Sequence, residues 1–533
     1  MITAKPRKQS EIIEFLKSTS SYPEGPKKIE VKETHISIVF LTDHFAYKLK
    51  KPVRFDFLDF STPELRRQAC EDELNLNRRL ASGIYQAVVP LSVEDGHLVL
   101  GGQGEPVDWL VKMKRLNDSE TLESLLGNKQ LADSQTEAIA ERLASFFSNL
   151  SPMTTKSCEF RRELAAHIDA NRSDLIGKAL AHLERIQFIH SAQMRFLNVM
   201  SETFDARVCD GRVVDGHGDL KPEHIYFSPN PIIIDCVEFN PKYRQNDVID
   251  ELSFLAMECD RLDAPAVGSR IIDAYSRASN DFPETELVAF YKSYRACVRA
   301  KVAAMRADQT VGKEQSRFLR KLDSYLEFAN RYASELGPKM VISVGGLMGT
   351  GKSTLVKAIS KQLNANFLQT DVIRHEIFPR NGQSCGFDEA KYSPKNRDVV
   401  YDEMFKKLPT LLKTSPTVVL DGTFGKESQR QEVKNKAKEL DSQWLHLECV
   451  CPAQLSIERV KDRLTTGRSN SEARSEFYER QAAGYESPIK AANILTIDTS
   501  QSIIEQVAEV ISFLRCQLEK TSRLPVADPA TNN

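Results

Sequence analysis

The sequence predicts an α+β domain followed by an α/β domain built on a doubly wound parallel sheet. Three observations lead there. An apolar strand at 340–344 runs straight into Gly346-x-x-x-x-Gly351-Lys352-Ser353, and helical periodicity follows at once. Thr417-Val418-Val419-Leu420 ends in Asp421, an apolar strand closed by an acid, as expected where a parallel sheet opens its ligand crevice at the strands' carboxyl ends. In the first half, period-two alternation over 36–50 precedes a helix with an inward acid, and a hairpin flanked by two aspartates comes later.

The P-loop pattern carries the clearest chemistry. Strand, glycine loop and helix occur in the order the motif needs. Gly346, Gly349, Thr350, Gly351, Lys352, Ser353 and Thr354 form the phosphate cradle: backbone N–H groups turn inward, Lys352 neutralises the outer phosphates and the Ser353 hydroxyl ligates Mg²⁺. An ordinary glycine turn would need neither the lysine nor the strand and helix on either side.

At 533 residues the chain exceeds one compact core, so two large or three smaller units are expected. A net charge of -2, from 72 basic and 74 acidic residues, excludes a global electrostatic footprint for nucleic acid. No apolar run reaches the length of a membrane span, and the segment from Met1 to Lys8 does not read as a signal peptide. The expectation is a cytoplasmic protein with no membrane partner. Ten cysteines without a CxxC pair argue against a disulfide framework and a zinc site.

In the first half, Ile36–Leu41 and Phe45–Lys50 read as hairpin strands, with Ala46, Lys48 and Lys50 on one face. Ala46-x-Lys48 has the spacing of the strand motif in which a lysine holds nucleotide phosphates. Taken alone, a lysine there would be a solvated edge residue. Thr62 reads as an N-cap with Pro63 at the first helical position, and the helix that follows carries Glu73 inside its apolar stripe. A carboxylate on that face needs a partner, and Lys48 supplies one. Then comes His217-Gly218-Asp219-Leu220-Lys221-Pro222-Glu223-His224, a short hairpin, and a strand ending in Asp235. Asp219 is placed to orient and deprotonate a substrate hydroxyl, and Asp235 to hold metal on the nucleotide.

This half resembles the aminoglycoside phosphotransferase branch of the protein-kinase-like fold, whose catalytic loop reads HGDLxxxN. The blocks AYKLKKPVRFDFLDF, CEDELNLNRRL, VKMKRL and IDCVEFN are similar to those of a bifunctional bacterial family that fuses such a domain to a P-loop domain. The resemblance implies a two-lobed kinase-like fold, with ATP and Mg²⁺ as cofactors. One position departs: where the loop's asparagine is expected as a second metal ligand, this chain has His224.

In the second half, Asp371 reads as the end of a short strand with Arg374 one helical step on, a base and a phosphate-steadying cation. Asp421 is expected to hold the metal's water shell. Arg463 and Arg468 fall where small P-loop kinases place lid arginines. A break at Gly337-Pro338 sets the expected domains at 1–335 and 336–516, with 517–533 a disordered tail.

The functional expectation is an ATP-dependent phosphotransferase with two nucleotide sites, acting on hydroxyl groups of a small molecule. His224 motivates an alternative, a nucleotide-gated regulatory protein whose first site does not turn over. Asp371 with Arg374 motivates another, a polynucleotide 5′-hydroxyl kinase, less favoured because the chain lacks a basic footprint. The sequence names neither the acceptor nor a protein partner.

Overall fold

A computed structural model describes residues 8–55, 58–378, 394–466 and 478–522. The chain divides into two compact units, Met1–Thr155 with Arg207–Lys292, and Lys156–Ala206 with Ser293–Asn533.

The first unit is α+β. Strands β1 (Glu30–Glu33), β2 (Ser37–Leu41) and β3 (Phe45–Lys50) lead the chain, and the two-residue strands β4 (Arg54–Phe55) and β5 (Leu58–Asp59) form their own ribbon. With β6 (Tyr85–Glu94), β7 (His97–Leu100) and β8 (Glu105–Lys114), the first three strands make an antiparallel sheet ordered β1-β2-β3-β8-β6-β7. Alternation gives the sheet two apolar faces. Tyr47, Leu49, Phe40 and Leu110 pack with Ile12 and Leu16 of helix Gln9–Lys17. Ala46, Val111 and Met113 pack with Cys70 and Ala81 of helix Pro63–Ala81. That second helix starts as its sequence requires: Thr62 accepts from the Leu65 N–H at 3.3 Å and Pro63 occupies the first turn.

The remainder of this unit is mainly helical. β9 (Val213–Asp215) pairs with the later β12 (Gln245–Asp247), and β10 (Ile225–Phe227) with β11 (Pro231–Ile233), as antiparallel ribbons. Asp247 caps helix Val248–Arg261, accepting from the Ile249 N–H at 3.0 Å. Nearly every residue of that helix is buried, which marks it as the core of the helical part.

The second unit is α/β. β13 (Lys339–Gly345), β14 (Asn366–Gln369), β15 (Thr417–Asp421), β16 (Ser442–Val450) and β17 (Ile494–Asp498) form an all-parallel sheet ordered β14-β15-β13-β16-β17. The chain winds one way from the central β13 and then the other. The strand order therefore reverses at the P-loop strand, the switch point of a doubly wound sheet.

Helix Leu183–Val199, far upstream in sequence, belongs to this unit. It is buried around most of its circumference, as a helix packed on several sides must be. Arg195, 1% exposed, donates to the carbonyls of Leu336, Gly337 and Pro338 at 3.3, 3.1 and 2.9 Å, and so fixes the entry to β13. Ser191 and Asn198 donate to the carbonyls of Asn364 and Gln362 at the end of the P-loop helix. The last helix runs Ile503–Ser522, beyond the expected end at 516, because Leu514 and Leu518 are buried on its inner face. Residues 523–533 of the expected tail lie outside the described residues. No described helix is long and apolar enough to cross a membrane.

Candidate functional site

Each unit gathers its own cluster of polar groups. In the first, Glu73 is fully buried and points from its helix at the sheet. Its Oε1 takes Lys48 at 2.8 Å and its Oε2 takes Lys50 at 2.7 Å. Lys48 also reaches Asp235 Oδ1 at 2.7 Å, and Lys50 is paired with Glu238. Two lysines and three carboxylates thus form one network. Burial opposes the charge on Lys48, but Asp235 and Glu73 outweigh it and hold its pKa well above the ordinary lysine range. Burial likewise opposes ionisation of Asp235, and the Lys48 ammonium beside it more than offsets that, so this carboxyl lies well below its usual range. Glu238 goes the other way, because burial outweighs its pairing with Lys50.

Asp235 stands just past the end of β11 with φ 64, a left-handed residue that turns the chain out of the strand. Its N–H donates to the Tyr85 hydroxyl at 3.2 Å, and the next N–H, of Cys236, donates to Asn77 Oδ1 at 2.9 Å. Asn77 lies one helical turn after Glu73 and donates to its carbonyl at 2.8 Å, so the same helix positions both the glutamate and the aspartate turn.

The Asp219 loop is held from behind. Glu251 Oε1 accepts from the N–H groups of His217 and Gly218 at 2.7 and 2.9 Å. A Cβ at Gly216 would fall 2.3 Å from that oxygen, so this approach requires glycine. His217 is fully buried and donates through Nε2 to the Ile234 carbonyl at 2.9 Å, tying the loop to the hairpin. Lys221 contacts Asp219 Oδ2 at 3.0 Å. The donor atoms of Asp219, His224 and Asp235 all lie within 4.8 Å of one another.

In the second unit the P-loop leaves β13 and enters helix Lys352–Leu363. Gly349 has φ 78, and a Cβ there would sit 2.3 Å from the Ser456 carbonyl oxygen. The loop needs glycine for both reasons. Lys352 Nζ donates to the Leu347 carbonyl at 2.7 Å, and Thr350 Oγ1 donates to the same carbonyl at 2.8 Å. Gln481 Oε1 accepts from the Met348 N–H at 2.7 Å, while the Thr499 hydroxyl donates to the Thr350 carbonyl at 2.6 Å. Asp421, at the carboxyl end of β15, accepts from Gln369 Nε2 at 2.8 Å and from the Ser353 hydroxyl. Burial raises its pKa against those two hydrogen bonds.

Asp371 falls in the first turn of helix Thr370–Ile377 instead of at the end of β14, and it is paired with Arg374 three residues on. Arg374 is 8% exposed and contributes to Asp371's surroundings directly. The Arg463 side chain and Arg468 lie outside the described residues.

Several positioning groups were not singled out from sequence. Lys50 shares a face with Lys48, which period two does reveal. Asn77, Tyr85, Glu251, Gln369 and Gln481 gave no local signal. Arg295 and Arg299, part of a basic aromatic stripe, lie over the rings of Tyr294 and Tyr325 at 5.7 and 5.5 Å, a packing arrangement.

The fold and these clusters define a chain that joins an α+β domain to an α/β domain in which a P-loop follows the central strand of a parallel sheet. A family described as "AAA domain" matches residues 341–488. An uncharacterized protein of Mycobacterium tuberculosis (strain ATCC 25618 / H37Rv) is 30% identical over 476 residues, which span 85% of this chain and 90% of that protein. The chain belongs to the family of this mycobacterial protein. A cytidylate kinase of Methanococcus aeolicus is 30% identical over 125 residues, 23% of this chain and 64% of the kinase. The solved GDP complex of aminoglycoside 2′-phosphotransferase-IIIa covers 62% of this chain and 99% of its own at 12% identity, with a TM-score of 0.34.

Proposed function

We propose that the protein is an ATP-dependent phosphotransferase with two nucleotide sites, which transfers the γ-phosphate to hydroxyl groups of a small molecule. The observation that supports this best is the chain of ion pairs Glu73–Lys48–Asp235 beside Asp219, held in a unit separate from the P-loop. Glu73 fixes the Lys48 ammonium where it can meet phosphate oxygens. Asp219, on a loop held by Glu251, accepts the proton of the attacking hydroxyl. Catalysis of this kind consists of positioning and charge neutralisation around an in-line transfer.

In the second site the P-loop amides and Lys352 bind phosphates, and Asp371 acts as base with Arg374 beside it. The similarity to a cytidylate kinase over 125 residues supports transfer to an acceptor in this domain. Mg²⁺ would add charge neutralisation at the phosphates. The second site's donors fit that ion, since the Ser353 hydroxyl and the Asp421 carboxylate are both oxygens. In the first site Asp235 is the metal-holding carboxylate. A cytoplasmic setting, where ATP is available, belongs to the same reading.

Equilibrium dialysis of the full chain against ATP tests the proposal. Two nucleotides per chain are expected, with Lys48→Met and Lys352→Ala each removing one. One nucleotide in the wild type, unaffected by Lys48→Met, would leave the first unit without a nucleotide site. Incubating a metabolite extract with ATP and comparing Asp219→Asn with Lys352→Ala then identifies the site that transfers phosphate.

A further inference from the structure

Where the resembled family's loop has an amide side chain this chain has the His224 imidazole, with carboxylate oxygens of Asp219, Glu223 and Asp235 at 3.8, 3.8 and 3.4 Å. The ring is 11% exposed and its orientation is fixed. Nδ1 lies 3.0 Å from the Asp219 carbonyl oxygen. A carbonyl only accepts, so this hydrogen bond puts the proton on Nδ1, and in the neutral ring Nε2 keeps its lone pair. Nε2 lies 3.4 Å from Asp235 Oδ2, while Lys48 engages the other oxygen, Oδ1, at 2.7 Å. In the neutral ring two acceptors therefore stand 3.4 Å apart, a span that one cation bound to both would bridge. Imidazoles that bind metals are held in just this way, with the far N–H donated to a carbonyl or carboxylate that sets the tautomer.

The donor set also speaks to the kind of cation. Mg²⁺ prefers oxygen donors in a strict octahedron and is poorly served by imidazole. One nitrogen with two carboxylates suits divalent first-row transition ions, whose affinity for nitrogen donors is higher. Asp219, His224 and Asp235 also come from a single loop and hairpin, positions 219 to 235, so Glu251 and Asn77, which hold the loop and the turn, hold all three donors together.

We propose that Asp219, His224 and Asp235 form a divalent transition-metal site, with Mn²⁺ preferred over Mg²⁺, and that His224 is the residue that sets the preference. The proposal rests on the reading of Asp235 as the metal-holding carboxylate of the first site. It does not require that site to turn over.

The test is Mn²⁺ titration of the full chain without nucleotide, followed by electron paramagnetic resonance, with Mg²⁺ as competitor. Wild type should bind one Mn²⁺ that Mg²⁺ displaces only in large excess, and its pulsed spectrum should show coupling to an imidazole nitrogen. In His224→Asn the nitrogen coupling should vanish and Mn²⁺ affinity should fall by roughly ten-fold or more, with Mg²⁺ affinity unchanged. Asp235→Asn should abolish the site. Wild-type Mn²⁺ without nitrogen coupling, as expected if the ring merely carries a second proton, would overturn the proposal. So would an equal Mn²⁺ to Mg²⁺ ratio in wild type and His224→Asn. The wild-type spectrum needs no variant to fold. If the coupling is present but Lys48→Met leaves ATP stoichiometry unchanged, the metal site stands and the two-nucleotide reading fails.

Discussion

Lys48 and Lys50 grip opposite oxygens of Glu73, at 2.8 and 2.7 Å, and the three charges are joined inside the first unit's sheet-to-helix interface. The two lysines differ in their second partner. Lys48 reaches Asp235 at the edge of the cluster, whereas Lys50, with no exposed surface, is paired with Glu238. Lys48 thus keeps 12% of its side chain exposed, while Lys50 is enclosed and holds Glu73 from the other side.

Removing Lys50 strips Glu238 of its ion-pair partner and leaves Glu73 with Lys48 alone. Lys50→Met should destabilise the first unit by about 3–5 kcal/mol, the usual cost of stripping one partner from a buried pair. Adding Glu238→Gln should restore part of the loss. Chemical denaturation of the two single variants and the double variant measures the coupling, and strictly additive losses would contradict the network.

Lys352 should separate binding from stability. Its ammonium rests on the carbonyl of Leu347 five residues away in its own loop, a local contact that joins no distant segments. Lys352→Ala should leave the melting temperature within a few degrees of wild type while weakening nucleotide binding at the P-loop by roughly ten-fold or more, given the loss of a charge-assisted contact. Fluorescent-nucleotide titration and thermal melting read the two effects separately.

Gly349→Ala should do the opposite of a silent change. The left-handed backbone alone costs about 1–3 kcal/mol for a residue with a Cβ, and the new methyl would meet the Ser456 carbonyl at 2.3 Å. The expected result is a lower melting temperature together with loss of P-loop nucleotide binding.

His190 gives the second unit a pH dependence. Its Nε2 donates to Asp169 at 2.7 Å and its Nδ1 accepts from Asn364 Nδ2 at 3.0 Å, so both nitrogens are used in the neutral ring. Burial lowers its pKa despite Asp169. In the unfolded chain the imidazole titrates at its ordinary value, so on acidification the unfolded state takes up the proton first. Stability contributed by the neutral ring is present above the unfolded pKa and is lost as the pH falls from there toward the depressed folded value. Melting temperatures between pH 7.5 and 5 should decline less steeply in His190→Ala than in wild type, although His190→Ala starts lower.

Much of this architecture could be read from the chain because it is set by near neighbours. The P-loop, the Thr62 cap and the Asp219 loop are each announced by residue types a few positions apart, although distant groups such as Glu251 and Gln481 then hold the two loops in place. Asp421 closing an apolar strand belongs to the same class. Period two on β3 even placed Lys48 and Lys50 together.

Other features arise only when distant segments meet. Lys48 and Asp235 are 187 positions apart, and Arg195 and Pro338 are 143 apart. A linear reading breaks the chain at Gly337-Pro338, yet helix Leu183–Val199 packs within the P-loop unit, because it is buried on most sides, polar Ser191, Gln193 and Arg195 included, and Ser191 and Asn198 find their acceptors at the end of the P-loop helix. Asp371 reads as a strand end and stands instead in a helix, paired with the arginine one turn on. The sequence by itself determined the order of the glycine loop, the capped helix and the acid-ended strand, because each is set by residues a few positions apart. Tertiary structure decided which of two adjacent lysines is buried, which carboxylate each one holds and what His224 faces, since burial and charge pairing depend on groups that only folding brings within a few ångströms.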